Sequence, residues 1–113
     1  MIAARYRFHG HRSVRFVMAR GQTRRGRMLY MRFVHNQQRT TPRCAVIVSK
    51  KIAKSAVKRI RVRRQIYNIV RHDIQHLEHA YDIIITVISP DAIIAPHESL
   101  KYELKKILAT LAP

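Results

Sequence analysis

Lysine and arginine are the residues with chemistry to offer in this chain. Lys50, Lys51, Lys54, Lys58, Arg59, Arg61, Arg63 and Arg64 fall within one short stretch that contains no acid. Before Asp73 no basic residue has a carboxylate three or four positions away, so the ion pairs that normally neutralise a charged helix face are missing. Unopposed cations of this density call for a polyanion, whose phosphates they contact while condensed counterions are released. Arginine predominates over lysine, which favours forked, bidentate phosphate contacts. On charge alone the polyanion is RNA or DNA.

Other chemistries find less support. His72, His76 and His79 are spaced i, i+4, i+7 beside Asp73, a spacing that can bind zinc. The commoner use of such residues is a polar helix end, where partial protonation suits the dipole, and no metal site is assigned. A two-metal nuclease needs clustered carboxylates, and the six acids (Asp73, Glu78, Asp82, Asp91, Glu98, Glu103) are scattered over the least basic part of the chain. There is no Ser-His-Asp spacing, no phosphate-cradling glycine loop and no CxxC, so no catalytic residue is assigned. Tyr30, with Phe16, Tyr6 and Phe8 near it in sequence, offers rings on which unpaired bases could stack. Phe8 and Phe16 fit a core equally well. Tyr67 is expected at a helix edge.

The elements that must hold these residues follow from periodicity. With 113 residues, 47% of them apolar, the chain suits one domain with a modest core. Its formal charge of +17 is unevenly placed. Twenty lysines and arginines precede residue 73, after which three lysines face all six acids for a net −3. The lone Cys44 excludes an internal disulfide and suits a reducing compartment. With no apolar run of membrane-spanning length and no signal-peptide core, the expectation is cytoplasmic, with no membrane partner.

Residues 1–10 read as an irregular basic arm. A short helix is expected over 12–20, with Val14, Val17 and Met18 on one side and Gly21 as its C-cap. Residues 21–27 read as a flexible basic loop. In 28–34, Leu29, Met31 and Phe33 alternate with Met28, Tyr30 and Arg32, the pattern of a strand with one buried face. Residues 35–42 suggest a hairpin-type loop, and 43–49 are apolar enough for a central strand, with Cys44 in the core. A basic helix follows over roughly 54–72, capped by Ser55, with Val62, Ile66, Ile69 and Val70 as its apolar stripe and Leu77 extending it. A buried strand at 81–88, a loop at 89–96 and a last helix bearing Leu100, Leu104, Ile107, Leu108 and Leu111 complete the order, with Pro96 near that helix's first turn. The reading is α+β, an α-β-β-α-β-α sandwich with a small mixed sheet.

The central stretch resembles the signature of the bacterial ribonuclease P protein family: a strand ending in a V-S-K-K-like turn, then a helix with A-V-x-R-N-R-x-K-R. Here these are Val48-Ser49-Lys50-Lys51 and Ala56-Val57-Lys58-Arg59-Ile60-Arg61-Val62-Arg63-Arg64. Ile60 stands where the family has Asn, Arg63 where it has Lys, and Tyr67 where a further Arg is usual. The likeness spans nearly the whole chain, from Arg7-Phe8 through Val14, Val17, Met18 and Gly21 to the Tyr81-Asp82-Ile83-Ile84 strand entry. It implies a fold related to a ribosomal-protein domain, with a left-handed βαβ crossover, an exception to the usual hand. The implied function is to assist a catalytic RNA in removing the 5′ leader from precursor tRNA. Lys50, Lys51, Lys54, Lys58, Arg59, Arg61, Arg63 and Arg64 would then hold the ribonuclease P RNA, and Val14, Met18, Tyr30 and Arg32 would line a leader cleft. Arg24, Arg25 and Arg27 would add phosphate contacts. Mg2+ would be held mainly by the RNA, the protein would be an enzyme only as part of the holoenzyme, and no DNA partner is expected. The rival reading is a ribosomal or RNA-chaperone-type protein with no role in tRNA processing.

Overall fold

The computed structural model describes residues 11–111, with side chains from Val14 onward. The expected basic arm at 1–10 lies outside the described residues. Helix α1 (His11–Arg20) leads into strand β1 (Gln22–Arg25), then β2 (Leu29–His35) and β3 (Arg43–Ile47). Helix α2 (Ala56–Gln75), strand β4 (Tyr81–Val87), the short helix α3 (Asp91–Ile94) and helix α4 (His97–Leu108) follow, with a single tight turn at Ala109–Leu111. The four strands form one mixed sheet in the order β1-β2-β4-β3. β1 and β4 pair antiparallel with β2, and β3 pairs parallel with β4.

β4 sits between β2 and β3, and its consecutive Ile83, Ile84 and Ile85 are fully buried. An apolar run without alternation is what a strand covered on both faces requires. On one face, Leu29, Met31, Phe33, Cys44, Val46, Ile83 and Ile85 pack against the apolar stripes of α2 and α4. On the other, Ala45 and Ile84 pack under Val17 of α1, with Val14, Met18, Val34 and Ile47 half-buried around them. α2 is capped as expected: the Ser55 hydroxyl accepts from the Lys58 amide at 3.3 Å, a contact that stabilises a helix by about 1 kcal/mol. Gly21 closes α1, its amide donating to the Val17 carbonyl at 2.8 Å. A Cβ there would lie 2.5 Å from that oxygen, so the close approach requires glycine. Pro96 stands at the N-cap of α4, where Leu100, Leu104, Ile107 and Leu108 are all buried.

Several expectations from sequence are corrected. Residues 22–25 are an edge strand, not a flexible loop. QTRR has no apolar alternation because β1 is held by backbone pairing to β2 and otherwise faces solvent. Residues 35–42 do not close a hairpin, because β4 is inserted between the strands they join. β3 is an edge strand rather than a central one. Its apolar run reflects burial on both faces, while its outer edge is closed from α2, where the Tyr67 hydroxyl accepts from the Val46 amide at 3.2 Å. Tyr67 is therefore a buried core residue, not a helix-edge one. Met28 is buried in the main core and not on the Tyr30 side, because it belongs to the turn before β2. The turn is fastened there by Glu103 of α4, whose carboxylate accepts from the Met28 and Leu29 amides at 3.0 Å each. The expected loop at 89–96 contains α3.

Among the described residues one charged side chain is buried. Asp82 of β4 accepts two hydrogen bonds from the Arg43 guanidinium, at 2.8 and 2.9 Å, and a third from Asn36 Nδ2 at 2.9 Å. Removing one partner of such a pair strands the other, so Asp82→Ala is expected to destabilise the domain by about 3 kcal/mol and to lower Tm by roughly 10–20 °C, measured by thermal denaturation. Burial also pushes the Cys44 thiol up to about 12 from an ordinary value of 9.0. The native thiol is expected to resist alkylation at neutral pH and to react once the chain is unfolded in denaturant. Because the folded state holds this proton more tightly, its contribution to stability is intact below about pH 9 and falls as pH rises toward 12.

Candidate nucleic-acid interface

The basic residues lie at one end of the sheet. β3 runs from Arg43 to Ile47 beside β4, and the chain leaves it through Val48 into the turn at Ser49, where the amides of Ile52 and Ala53 donate to the Ser49 carbonyl. Lys50, Lys51 and Lys54 are exposed on this turn, and Lys58, Arg61 and Arg64 are exposed along the first turns of α2. None of these six side chains is paired with an acid among the described residues. Asp73, Asp82 and Asp91 are engaged with Lys105, Arg43 and Arg27, and Glu103 holds the β1–β2 turn. The folded molecule thus leaves uncompensated the charge that the sequence left without local partners.

Arg59 and Arg63 differ from the rest. Both are half-buried. One Nη of Arg59 donates to the carbonyls of Ala53 and Lys54, each at 2.8 Å. It therefore braces the turn that presents Lys50, Lys51 and Lys54. Arg63 has a buried Nε that makes no hydrogen bond among the described residues. Ile60, 42% exposed, and Val57, 75% exposed, form an apolar strip beside Arg61 and Arg64. These four residues and Ile93, Ala95 and His97 border a cavity of about 900 Å³ between α2 and the α3–α4 segment. Gln65 closes its far side with a 3.1 Å contact to His97.

The second group expected from sequence lies on the α1 face of the sheet. Cross-strand register places Tyr30, Thr86 and Ile47 in one row and Arg32, Ile84 and Ala45 in the next. Val14 and Met18 pack against the Val17–Ala45–Ile84 cluster, as do Val34 and Ile47. The structure thus puts Val14, Met18, Tyr30 and Arg32 on the α1 face of the sheet, with Tyr30 in the row at the end from which Lys50 and Lys51 project. Arg32 is tied down, with its guanidinium donating to Thr23 Oγ1 at 2.8 Å and to the Gly21 carbonyl at 3.0 Å. Thr86 was not singled out from sequence. It is the one polar residue within the apolar Ile83–Val87 run, and its buried hydroxyl lacks a hydrogen-bond partner among the described residues, beside Tyr30.

The remaining candidates separate. Arg24 lies over the Phe33 ring, 5.1 Å from its centroid, and Arg27 faces Asp91 at 3.8 Å. His72 and His76 are neighbours, with rings 4.5 Å apart. His79 instead lies against His35 at 4.9 Å, because α2 ends at Gln75 and the helical spacing does not reach it. Among the described residues no three His, Cys, Asp or Glu side chains converge as a metal site, and no helix is long and apolar enough to cross a membrane. Phe16 is 55% exposed, not in the core.

Comparison with known proteins agrees along the whole chain. The family model described as Ribonuclease P matches residues 2–112. The ribonuclease P protein component of a Pseudanabaena species is 34% identical over 93 residues, covering 82% of this chain and 79% of that protein. That of a Synechococcus species is 35% identical over 91 residues, covering 77% and 69%. In structure, the Staphylococcus aureus RNase P protein superposes with a TM-score of 0.83 at 22% identity, covering 93% of this chain and 94% of that one. At that identity the superposition speaks for the fold.

The division of labour within α2 is testable by salt titration of RNA binding. Arg61→Ala and Arg64→Ala are each expected to flatten the slope of log affinity against log salt by about one unit with no change in Tm. Arg59→Ala is expected to cost about 1 kcal/mol of stability as well, because two turn carbonyls lose their donor. Unchanged affinity and slope in an Arg61→Ala/Arg64→Ala double variant would remove this face of α2 from the interface.

Proposed function

The chain belongs to the ribonuclease P protein family, and from that premise we propose that α2 docks on the catalytic RNA while the α1 face of the sheet receives the 5′ leader of precursor tRNA. As a ribonuclease P protein component, it is part of an endoribonuclease and acts in tRNA processing. The observation that carries the docking assignment is the uncompensated row Lys50, Lys51, Lys54, Lys58, Arg61 and Arg64 at one end of the sheet. Such a row lowers the repulsion between two RNA backbones brought together, the catalytic RNA and its substrate. The Tyr30–Thr86–Ile47 row lies beside it and offers an aromatic face to a single strand leaving the cleavage point. Base stacking on one ring contributes about 1–3 kcal/mol without demanding a particular base.

The chemistry is assigned to the RNA. The acids of the described residues do not gather into a group that could hold a metal, and Asp73, Asp82 and Glu103 are committed to Lys105, Arg43 and backbone amides. Mg2+ would be held chiefly by the RNA and supplies the charge stabilisation of the hydrolytic step. The protein's part is to bind, to orient the leader and to screen phosphate repulsion. A cytoplasmic location accords with this role. Family membership disfavours the ribosomal or RNA-chaperone reading, although charge alone does not separate the two.

The test is reconstitution. Added to a bacterial ribonuclease P RNA and precursor tRNA at low magnesium, the protein is expected to restore 5′ cleavage. RNA binding without any gain in cleavage would favour the chaperone reading. In the same assay Ile60→Asn, which returns the family residue to an exposed position, is expected to leave holoenzyme activity intact or improve it. A clear loss would show that Ile60 makes an apolar contact specific to this chain.

A further inference from the structure

α1 has a second side that the leader cleft does not use. At 100° per residue, Val14, Val17 and Met18 share the side facing the sheet, and Phe16 falls on the far side of the helix from them. Its exposed ring borders a cavity of about 670 Å³ with Val34 as an apolar wall and Asn36, Gln37 and Gln38 of the β2–β3 connection opposite. That volume is in the range of small-ligand sites. The loop is held in place from beneath. Asn36 donates Nδ2 to the buried Asp82, and its Oδ1 accepts from the Gln38 amide at 3.0 Å. The Asn36 backbone amide donates to the Ala80 carbonyl at 2.8 Å. With its backbone pinned, the loop presents the side-chain amides of Gln37 and Gln38, which are exposed and make no hydrogen bond among the described residues. A single exposed phenylalanine is unremarkable by itself. A ring facing a cavity whose far wall is a rigid loop with two uncommitted amides is a recognition geometry: one flat apolar surface and paired donors and acceptors.

We infer that this flank of α1 is a second nucleotide subsite, in which an unpaired base of the precursor's leader stacks on Phe16 and is read along its edge by Gln37 and Gln38. The inference rests on the leader assignment above and extends it. A strand leaving the Tyr30–Thr86–Ile47 row passes over α1 to reach Phe16, and Arg15, exposed and between Met18 and Phe16 around the helix, is placed to meet a phosphate at the crossing. Asp82, the one carboxylate among the described residues that line the cavity, is neutralised by Arg43, so it does not repel a nucleic acid. The subsite is separated from the cleft by the thickness of a helix, so it engages nucleotides farther from the cleavage point than those beside Tyr30.

The experiment uses the reconstituted holoenzyme and two precursor tRNAs, one with its full leader and one with the leader trimmed to a single nucleotide. The quantity read is the ratio of kcat/KM for the full over the trimmed leader. Phe16→Ala is expected to lower this ratio about tenfold, the loss of one stacked base, with Tm unchanged because the ring is exposed. Phe16→Tyr should restore it. Gln37→Ala/Gln38→Ala should leave stacking in place but flatten the dependence of the ratio on which base occupies the distal leader positions. If the wild-type protein fails to raise cleavage over RNA alone, the leader reading falls and the subsite with it. If the wild type stimulates and Phe16→Ala leaves the ratio unchanged, the subsite alone is overturned. An equal loss with both leaders would place the base in the catalytic RNA and overturn the assignment to the leader.

Discussion

β4 is buried on both faces and hydrogen-bonded on both edges, and each proposed binding surface takes its position from it. Parallel pairing with β3 sends the chain out of the sheet at the Ile47 end, so the Ser49 turn and the start of α2 gather their cations there. Antiparallel pairing with β2 sets Tyr30 opposite Thr86, and Thr86 opposite Ile47, at that same end. A one-residue slip of β2 against β4 would turn Tyr30 into the main core and bring Met31 out of it. The apolar Ile83-Ile84-Ile85 run is therefore a constraint on function as much as on stability.

Charge is handled in two opposite ways. In the second half of the chain, acids meet partners that hold the fold together: Asp82 joins β4 to β3 and the β2–β3 connection, Asp73 ties α2 to α4 through Lys105, and Glu103 fastens the β1–β2 turn. The cations of the Ser49 turn and α2 receive no such partner. Self-repulsion of this kind destabilises the compact state, and binding a polyanion relieves it. α2 reconciles the two demands because its buried stripe of Val62, Ile66, Ile69, Val70 and Ile74 is anchored in the core while Arg61 and Arg64 stand exposed on the opposite side. Arg59 belongs to both: it is a cation by composition and a brace by geometry, held by the carbonyls of Ala53 and Lys54.

Much of this was legible beforehand because it is periodic or compositional. The 3.6-residue stripes of α2 and α4, the alternation of β2 and the Ser55 cap each follow from local preferences that tertiary packing reinforces. β1 was not legible, since QTRR is an edge strand made by backbone pairing and carries no side-chain pattern. The place of β3 at an edge was not legible either, because an apolar strand reports coverage of its faces and is silent about its edges. Tyr67 was underestimated for a related reason: its ring fits the apolar stripe, but its hydroxyl's partner, the Val46 amide, is 21 positions away in sequence.

The candidate site divides along the same line. That the chain binds a polyanion, and which side chains carry the charge, was determined by the sequence itself, because an excess of cations without neighbouring acids can be counted along the chain. The resemblance of the Val48–Lys51 and Ala56–Arg64 segments to a known family narrowed that polyanion to one RNA. Which cations are free and which are braces, that Thr86 stands beside Tyr30, and that Phe16 faces a pinned polar loop were decided only by tertiary structure. Those facts depend on β4 entering between two strands that precede it in the chain. Hydrogen-bond partners and cavity walls are set by that distant pairing, which no local pattern encodes.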